Sequence, residues 1–280
     1  MKAPLLAVDG DSFAHRAYHA LPSSIKRAEG RPANMIVGFA NMLVRVWEAE
    51  QPRAVLVGFD SLETPTYRHL ELPVYQSGRE FADDLLEQLA LLPELVSALG
   101  FAYAKAPGYE ADDFLGAVVR SEEKKRRRVL VATSDRDLFQ LASEKTTILQ
   151  PTRGVSELAR IGPDEVSERY SVEPKQVPDF IALRGDPSDR IPGARGVGPK
   201  TAADLLRQYG SLEEVLAAGR FAAQAEELRL YRRIATLDAS APLPPLEDQT
   251  PTWAEASALA RRWGVNQLAD RLAARVSGAP

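Results

Sequence analysis

The chain has 280 residues, 45% of them hydrophobic and 26% charged, with 39 acids against 35 bases and a net charge of −4. That is an ordinary globular composition, long enough for a sizeable core in one or two domains. The lack of cysteine excludes disulfides, thiolate catalysis and cysteine-ligated zinc, and the acidic balance means that any nucleic-acid binding must rest on locally gathered bases.

The N-terminal PLLAVDG (4–10) is a short apolar run ending in Asp-Gly, the pattern of a buried strand. Acids follow it where a signal peptide would carry a small-residue cleavage site. No apolar stretch approaches the roughly 20 residues of a membrane span, so the expectation is a cytoplasmic protein with no membrane partner. NMIVGFANMLVRVWEAE (34–50) has helical apolar spacing, and RAVLVGFDS (53–61) repeats the first pattern, a strand ending in Asp60. A helix over about 83–99 and a short strand near 101–104 lead to GYEADDF (108–114), which opens an amphipathic helix. RVLVATSDRDLFQL (128–141) is a third apolar strand, ending in Asp135 and Asp137. Strands alternating with helices predict an α/β fold with a mostly parallel central sheet flanked by helices.

After about residue 160 the pattern changes to short helices broken by Pro and Gly, with a Pro-rich link at 242–251. The predicted division is an α/β unit over 1–160 and a helical unit over 161–280. Within the second, GARGVGPKTAADLL places Gly193, Gly196 and Gly198 ahead of Pro199 and an apolar helix. Such a loop leaves free N–H groups at a helix N-terminus, suited to a phosphate; an ordinary turn between packed helices is the other reading.

GYEADDF crowds Glu110, Asp112 and Asp113 into four positions. Acids in a first helical turn are favoured by the helix dipole, and a bound cation is the alternative. Other acids bear on the choice. In a parallel sheet, ligands gather at the carboxyl ends of the strands, and Asp9, Asp60, Asp135 and Asp137 all fall there. Each alone reads as a cap or turn residue, but together they repel and require a countercharge. Asp186 and Asp189 add two more just before the glycine-rich loop. Carboxylates without partnering His or Cys favour hard cations, Mg²⁺ or Mn²⁺, over zinc, and the three histidines, His15, His19 and His69, form no metal-binding pair. The nine candidate ligands exceed what one Mg²⁺ takes and suit two metals about 3.5–4 Å apart, an arrangement that serves in-line phosphodiester hydrolysis.

VDGDSFAHRAYHAL, GFDS followed by TYRHLELPVYQSGR, GYEADD, TSDRDLFQL and RGDPSDRIPGARGVGPKTA, in this order over most of residues 5–220, resemble the 5′-nuclease (flap endonuclease) family. The likeness is to the N-terminal 5′–3′ exonuclease domain of bacterial DNA polymerase I. No polymerase segment follows in these 280 residues, so the expectation is a stand-alone nuclease or one domain of a larger enzyme. The resemblance implies a PIN-like or resolvase-like sheet, a helical arch over about 65–95, and a helix–three-turn–helix module over about 180–215. It implies a first metal site at Asp9, Asp60, Glu110 and Asp112, with Asp135 near or shared. Asp137 and Asp186 would build the second, with Asp113 and Asp189 acting directly or through water. The module would grip duplex phosphates through Gly196, Gly198 and Lys200 and hold K⁺ in its loop. Implied substrates are DNA with 5′ flaps, 5′ overhangs or nicks, cut by a monomer working with a DNA polymerase and a ligase in replication and repair.

One departure stands out. The family's arch carries Tyr-Lys-x-x-Arg, whose Lys and Arg approach the scissile phosphate. Here Tyr75 and Arg79 fit, but Gln76 stands at the Lys position. Gln donates a hydrogen bond without charge, so slower chemistry or altered substrate choice is expected rather than inactivity. KKRRR (124–128) reads as a solvated helix C-terminus rather than a DNA patch, whereas Tyr18, His19 and Tyr75 suit either base stacking or packing. A PIN-like ribonuclease and a non-catalytic, structure-specific DNA-binding protein are the rival readings. The glycine-rich module argues against the first and the intact acid set against the second.

Overall fold

The computed structural model describes residues 3–153 and 157–276. Strand β1 (Leu5–Asp9) runs directly into α1 (Gly10–Ala20), and α2 (Asn34–Glu50) leads to β2 (Ala54–Gly58). Helices α3 (Tyr67–Glu71) and α4 (Asp83–Ala98) precede β3 (Ala102–Ala104), and α5 (Ala111–Lys124) precedes β4 (Val129–Ala132). Then β5 (Thr146–Arg153) and β6 (Glu157–Ile161) complete the sheet. Helices α6 (Pro163–Tyr170), α7 (Val177–Arg184), α8 (Pro199–Tyr209), α9 (Leu212–Ala217) and α10 (Ala225–Ala235) follow, and α11 (Trp253–Arg262) and α12 (Asn266–Val276) end the described chain.

The sheet order is β3-β2-β1-β4-β5-β6, with every pairing parallel except β5–β6. All residues of β1, β2 and β4 are buried, which explains why these strands read as unbroken apolar runs. Successive side chains point to opposite faces. Leu5 and Ala7 join one core with Phe114 and Leu115 of α5, Phe180 of α7 and Leu206 of α8. Leu6 and Val8 join the other, with Phe13 of α1, Phe39 of α2 and Leu92 of α4.

The helices that follow residue 160 pack closely on the sheet: α7, α8 and α10 share a core with it. Leu259 of α11 and Leu268 and Leu272 of α12 pack on the opposite face with α2 and α4. The Pro-rich link carries the chain across, and Gln249 fastens it to the edge of β2 by accepting the Val55 N–H at 2.8 Å. The predicted arch region holds α3, an irregular stretch at 72–82 and the first part of α4, whose Leu85, Leu89 and Leu92 sit in the core. Strands β5 and β6 were not anticipated. Pro151 interrupts the β5 pattern and falls at a register shift, where a strand tolerates proline.

Candidate metal and nucleic-acid cleft

The carboxyl ends of β1, β2 and β4 meet at a cleft of about 690 Å³. Asp9 ends β1 and caps α1, its Oδ1 accepting the Ser12 N–H at 2.9 Å and its Oδ2 the Thr133 hydroxyl at 2.7 Å. The next residue has to be glycine. A Cβ on Gly10 would lie 2.5 Å from the Gly58 carbonyl oxygen, so its absence lets the ends of β1 and β2 close together. Asp60, two residues beyond β2, accepts the Ala111 N–H at 2.7 Å, which docks the start of α5 against the sheet. Its own N–H donates to Asp11 Oδ2 at 2.8 Å.

Glu110 caps α5, accepting from the Thr66 hydroxyl at 2.9 Å and the Tyr75 hydroxyl at 3.0 Å, with Arg68 at 3.3 Å. Asp112 lines the cleft from the same first turn. Beyond β4, the Asp135 N–H donates to the Thr133 hydroxyl at 2.9 Å, and the Asp137 N–H to Asp135 Oδ1 at 2.8 Å. Asp186 enters from the α7–α8 connection, accepting the Ser188 N–H at 2.8 Å and pairing with Arg184 at 2.9 Å. That connection is pinned where Gly193, with φ of 75°, crosses Gly185; a Cβ there would sit 2.4 Å from the Gly185 nitrogen.

Asp9, Asp60, Glu110, Asp112, Asp135, Asp137, Asp186 and Asp189 therefore line one cleft, and Asp113 does not. Asp113 is 0% exposed and turns inward, accepting from Arg68 at 2.9 and 2.7 Å and from the Asp238 N–H at 2.8 Å. Its two oxygens are taken up by Arg68 and backbone donors, so the expectation of a ligand role is corrected to a structural one. Asp189 lines the rim, where Oδ1 accepts from Gln76 Nε2 at 3.1 Å and Arg79 at 3.0 Å. Gln76 also donates its backbone N–H to the Asp189 carbonyl at 3.2 Å. The irregular 72–82 stretch is thus fastened across the cleft mouth.

Tyr75 is 4% exposed, with its hydroxyl on Glu110, so it packs rather than stacks on bases. Tyr18 donates to Asp84 at 2.9 Å. The basic run at 124–128 lies at the end of α5, where Lys125 and Arg127 pair with buried Glu122 at 3.2 and 3.7 Å. Gly196 and Gly198 line a separate hollow of about 560 Å³ with Gln224 and Tyr231, and Lys200 lies exposed in the first turn of α8. The sequence pattern does not single out Asp11, Arg136 and Arg184, which also line the cleft. Asp11 follows Asp9 by two positions, the same spacing that separates Asp137 from Asp135, and that spacing is the signal that could have found it.

Three arginines, Arg79, Arg136 and Arg184, share the cleft with these acids. Burial is the main cause of upward pKa shifts throughout, because a carboxylate loses its hydration there. Asp9 is pushed up to about 7, with further upward pressure from Asp135 and Asp60 and opposition from its Ser12 and Thr133 hydrogen bonds. Asp112 is held well above the usual range by burial and then by Asp9, Asp135 and Asp60. Asp137 is raised likewise by burial, Asp135, Asp186 and Asp189. Burial also raises Asp11, Asp60, Glu110 and Asp135, and lifts Asp189 to about 6 against the pull of Arg79. Among the described residues no preformed cage of three or more ligands is closed on a point. The acids instead ring a roomy cleft, a donor set that fits Mg²⁺ or Mn²⁺ bound through one or two carboxylates each and retained waters.

Comparisons with known proteins bear on the family and the fold. Residues 4–171 match the family model for the 5′-3′ exonuclease N-terminal resolvase-like domain, and 172–256 match the 5′-3′ exonuclease C-terminal SAM fold. DNA polymerase I of Mycobacterium tuberculosis is 42% identical over 217 residues, 77% of this chain and 24% of that protein. The thermostable DNA polymerase I of Thermus thermophilus is 38% identical over 253 residues, 86% of this chain and 30% of that protein. The chain thus spans about a quarter to a third of the length of these curated relatives. Among solved structures, a T5 5′-exonuclease with zinc bound superposes with a TM-score of 0.69 at 17% identity, covering 96% of this chain and 98% of that one. A bacteriophage T5 flap endonuclease in a pseudo-enzyme–product complex with DNA and metal ions gives 0.69 at 18%, covering 96% and 97%. These likenesses bear on the fold.

Proposed function

The chain belongs to the 5′-3′ exonuclease family, and from that premise we propose that it is a divalent-metal-dependent, structure-specific 5′ nuclease that hydrolyses DNA phosphodiester bonds. The observation that carries this reading is the gathering of eight expected carboxylates, from five separate stretches of chain, around one cleft with only three arginines.

In this reading Asp9, Asp60, Glu110 and Asp112 would hold one Mg²⁺ or Mn²⁺, with Asp135 near or shared, and Asp137 and Asp186 would hold a second, with Asp189 acting directly or through water. Bound there, such a pair would supply activation of a water and stabilisation of the leaving oxygen in an in-line displacement. The remaining work falls to the protein. Thr133 and the Ser12 N–H orient Asp9, and the Ala111 N–H orients Asp60. Arg79, paired with Asp189 at 3.0 Å, exchanges that partner for the scissile phosphate. Gln76 contributes a neutral hydrogen-bond donor at the rim. Gly196, Gly198 and Lys200 at the start of α8 take a phosphate of the duplex, and the loop would hold K⁺. The substrates are DNA with 5′ flaps, 5′ overhangs or nicks. The setting is replication and repair, in the cytoplasm, where a monomer works beside a polymerase that displaces 5′ flaps and a ligase that seals the product.

The test is a duplex with a labelled 5′ flap, incubated with Mg²⁺, Mn²⁺ or a chelator, with a matched RNA flap alongside. Metal-dependent DNA products cut near the flap junction, lost in Asp112→Asn, are expected. Tight DNA binding with no product in either metal sinks the proposal.

A further inference from the structure

Strand β1 lies between β2 and β4, so the three strand ends that carry cleft acids are neighbours. Pairing along β1 stops with Asp9 opposite Gly58 and Val8 opposite Ala132, because the chain then turns into α1. Its neighbours continue pairing for one residue on their outer sides. Phe59 donates its N–H to the Ala104 carbonyl at 2.9 Å, and Thr133 donates to the Leu149 carbonyl at 3.2 Å. The next N–H on each side, that of Asp60 and that of Ser134, turns inward, where β1 has already ended. A backbone donor shut away from water needs an acceptor. Two side chains in the first turn of α1 stand in for the missing ladder. Asp11 Oδ2 accepts the Asp60 N–H at 2.8 Å, and Ser12 Oγ accepts the Ser134 N–H at 2.9 Å.

Consecutive helical residues are turned by about 100°, which lets one turn reach a strand end on each side. The Ser12 N–H meanwhile donates to Asp9, so all three acid-bearing segments are tied to the same turn. Asp60 is then held twice, by its backbone on Asp11 and by its carboxylate on the Ala111 N–H at 2.7 Å. We propose that Asp11 and Ser12 are positioning residues that fix the turns bearing Asp60 and Asp135 at set distances either side of Asp9, so that three strands present their carboxylates to the same cations. The inference rests on the nuclease reading for the presence of those cations. Asp11 also lines the cleft, so direct ligation by its carboxylate is the competing account. Substitution separates the two: Asn at position 11 keeps an acceptor oxygen without the charge, and Thr at position 12 keeps the hydroxyl.

The experiment pairs amide hydrogen exchange in chelator, read residue by residue by NMR, with calorimetric titration of Mn²⁺ into the metal-free chain. Asp11→Ala should speed exchange at Asp60, and Ser12→Ala at Ser134, each roughly 5-fold, the worth of one hydrogen bond, with the other turn unchanged. Mn²⁺ affinity should fall about 10-fold in each, as it does when a group that orients a ligand is lost. Asp11→Asn and Ser12→Thr should stay within about 2-fold of wild type in both measurements, because the acceptors remain. Thermal melting in chelator sets a temperature at which every variant is folded. Faster exchange at both turns in a single variant is then general loosening, and it overturns the assignment. An Asp11→Asn chain that loses as much Mn²⁺ affinity as Asp11→Ala makes the charge decisive and Asp11 a ligand, which also overturns it. A wild-type chain that takes up no Mn²⁺ refutes the nuclease reading and the positioning role together. Wild-type uptake with unaltered affinity in both alanine variants removes the positioning role alone.

Discussion

Two adjacent aspartates on α5 should fail in opposite ways when neutralised. Successive helical residues are turned by about 100°, so Asp112 faces the cleft while Asp113, 0% exposed, faces the protein. Arg68, 2% exposed, spends two donors on Asp113, and its Nε donates to the Ile234 carbonyl at 3.0 Å. Asp113→Asn keeps the shape but leaves this guanidinium facing an amide, and breaking a buried ion pair costs about 3–5 kcal/mol. At about 2.1 cal/mol/K per residue, the unfolding entropy of this chain is roughly 0.6 kcal/mol/K, so Tm falls by about 5–9 °C. Asp112→Asn removes a charge that its neighbours repel, so Tm without metal should hold or rise while cleavage drops at least about 10²-fold. The assay is thermal melting in chelator, paired with single-turnover cleavage well below both melting points. An Asp113→Asn chain that melts with wild type yet no longer cuts refutes the structural assignment and returns Asp113 to the metal set.

In chelator, stability should decline as pH rises from about 4 toward 7. Asp9, raised from 3.8 to about 7, is favoured in its protonated form by the fold, so its contribution is complete below 3.8 and lost through 7. Millimolar Mg²⁺ should flatten that decline, and Tm profiles with and without metal that run parallel speak against a cation in the cleft. Gln76→Lys should raise the single-turnover cleavage rate by about 10²-fold, the usual worth of one well-placed charge at a developing anion; an unchanged rate means that the lysine position does not act in this chain. Gly10→Ala should destabilise by roughly 1–3 kcal/mol or more, since the added methyl meets both the Gly58 carbonyl oxygen and the buried Phe59 ring at 2.5 Å. Urea unfolding checks it, with a wild-type midpoint as the contrary result.

Three parallel strands were readable because burial on both faces leaves an apolar run with an acid at or just beyond its end, as in LLAVD and in AVLVG with Asp60 two residues on. The edge pair β5 and β6 was not, since an antiparallel edge mixes polar and apolar residues and Pro151 breaks the pattern. The carboxyl-edge rule gathered Asp9, Asp60, Asp135 and Asp137, and the GYEADDF and pre-loop acids completed the eight that the fold brings together, but such patterns are silent on direction within a helical turn. Hence they could not separate Asp113 from Asp112. Arg68 was invisible as Asp113's partner because the two stand 45 positions apart, and only tertiary packing pairs them. The Asp189–Gln76–Arg79 contacts escaped for the same reason.

The passage of 242–251 from one face of the sheet to the other has a consequence for how the molecule comes into being. Leu6 and Val8 of β1, the strand that ends in Asp9, share a core with α11 and α12, which are synthesised some 250 residues later. Arg68 likewise waits for the carbonyl of Ile234 before its donors are all engaged. Contacts so distant in sequence close late in folding. The packing that supports the cleft is therefore complete only after the chain beyond Ile234 has been made.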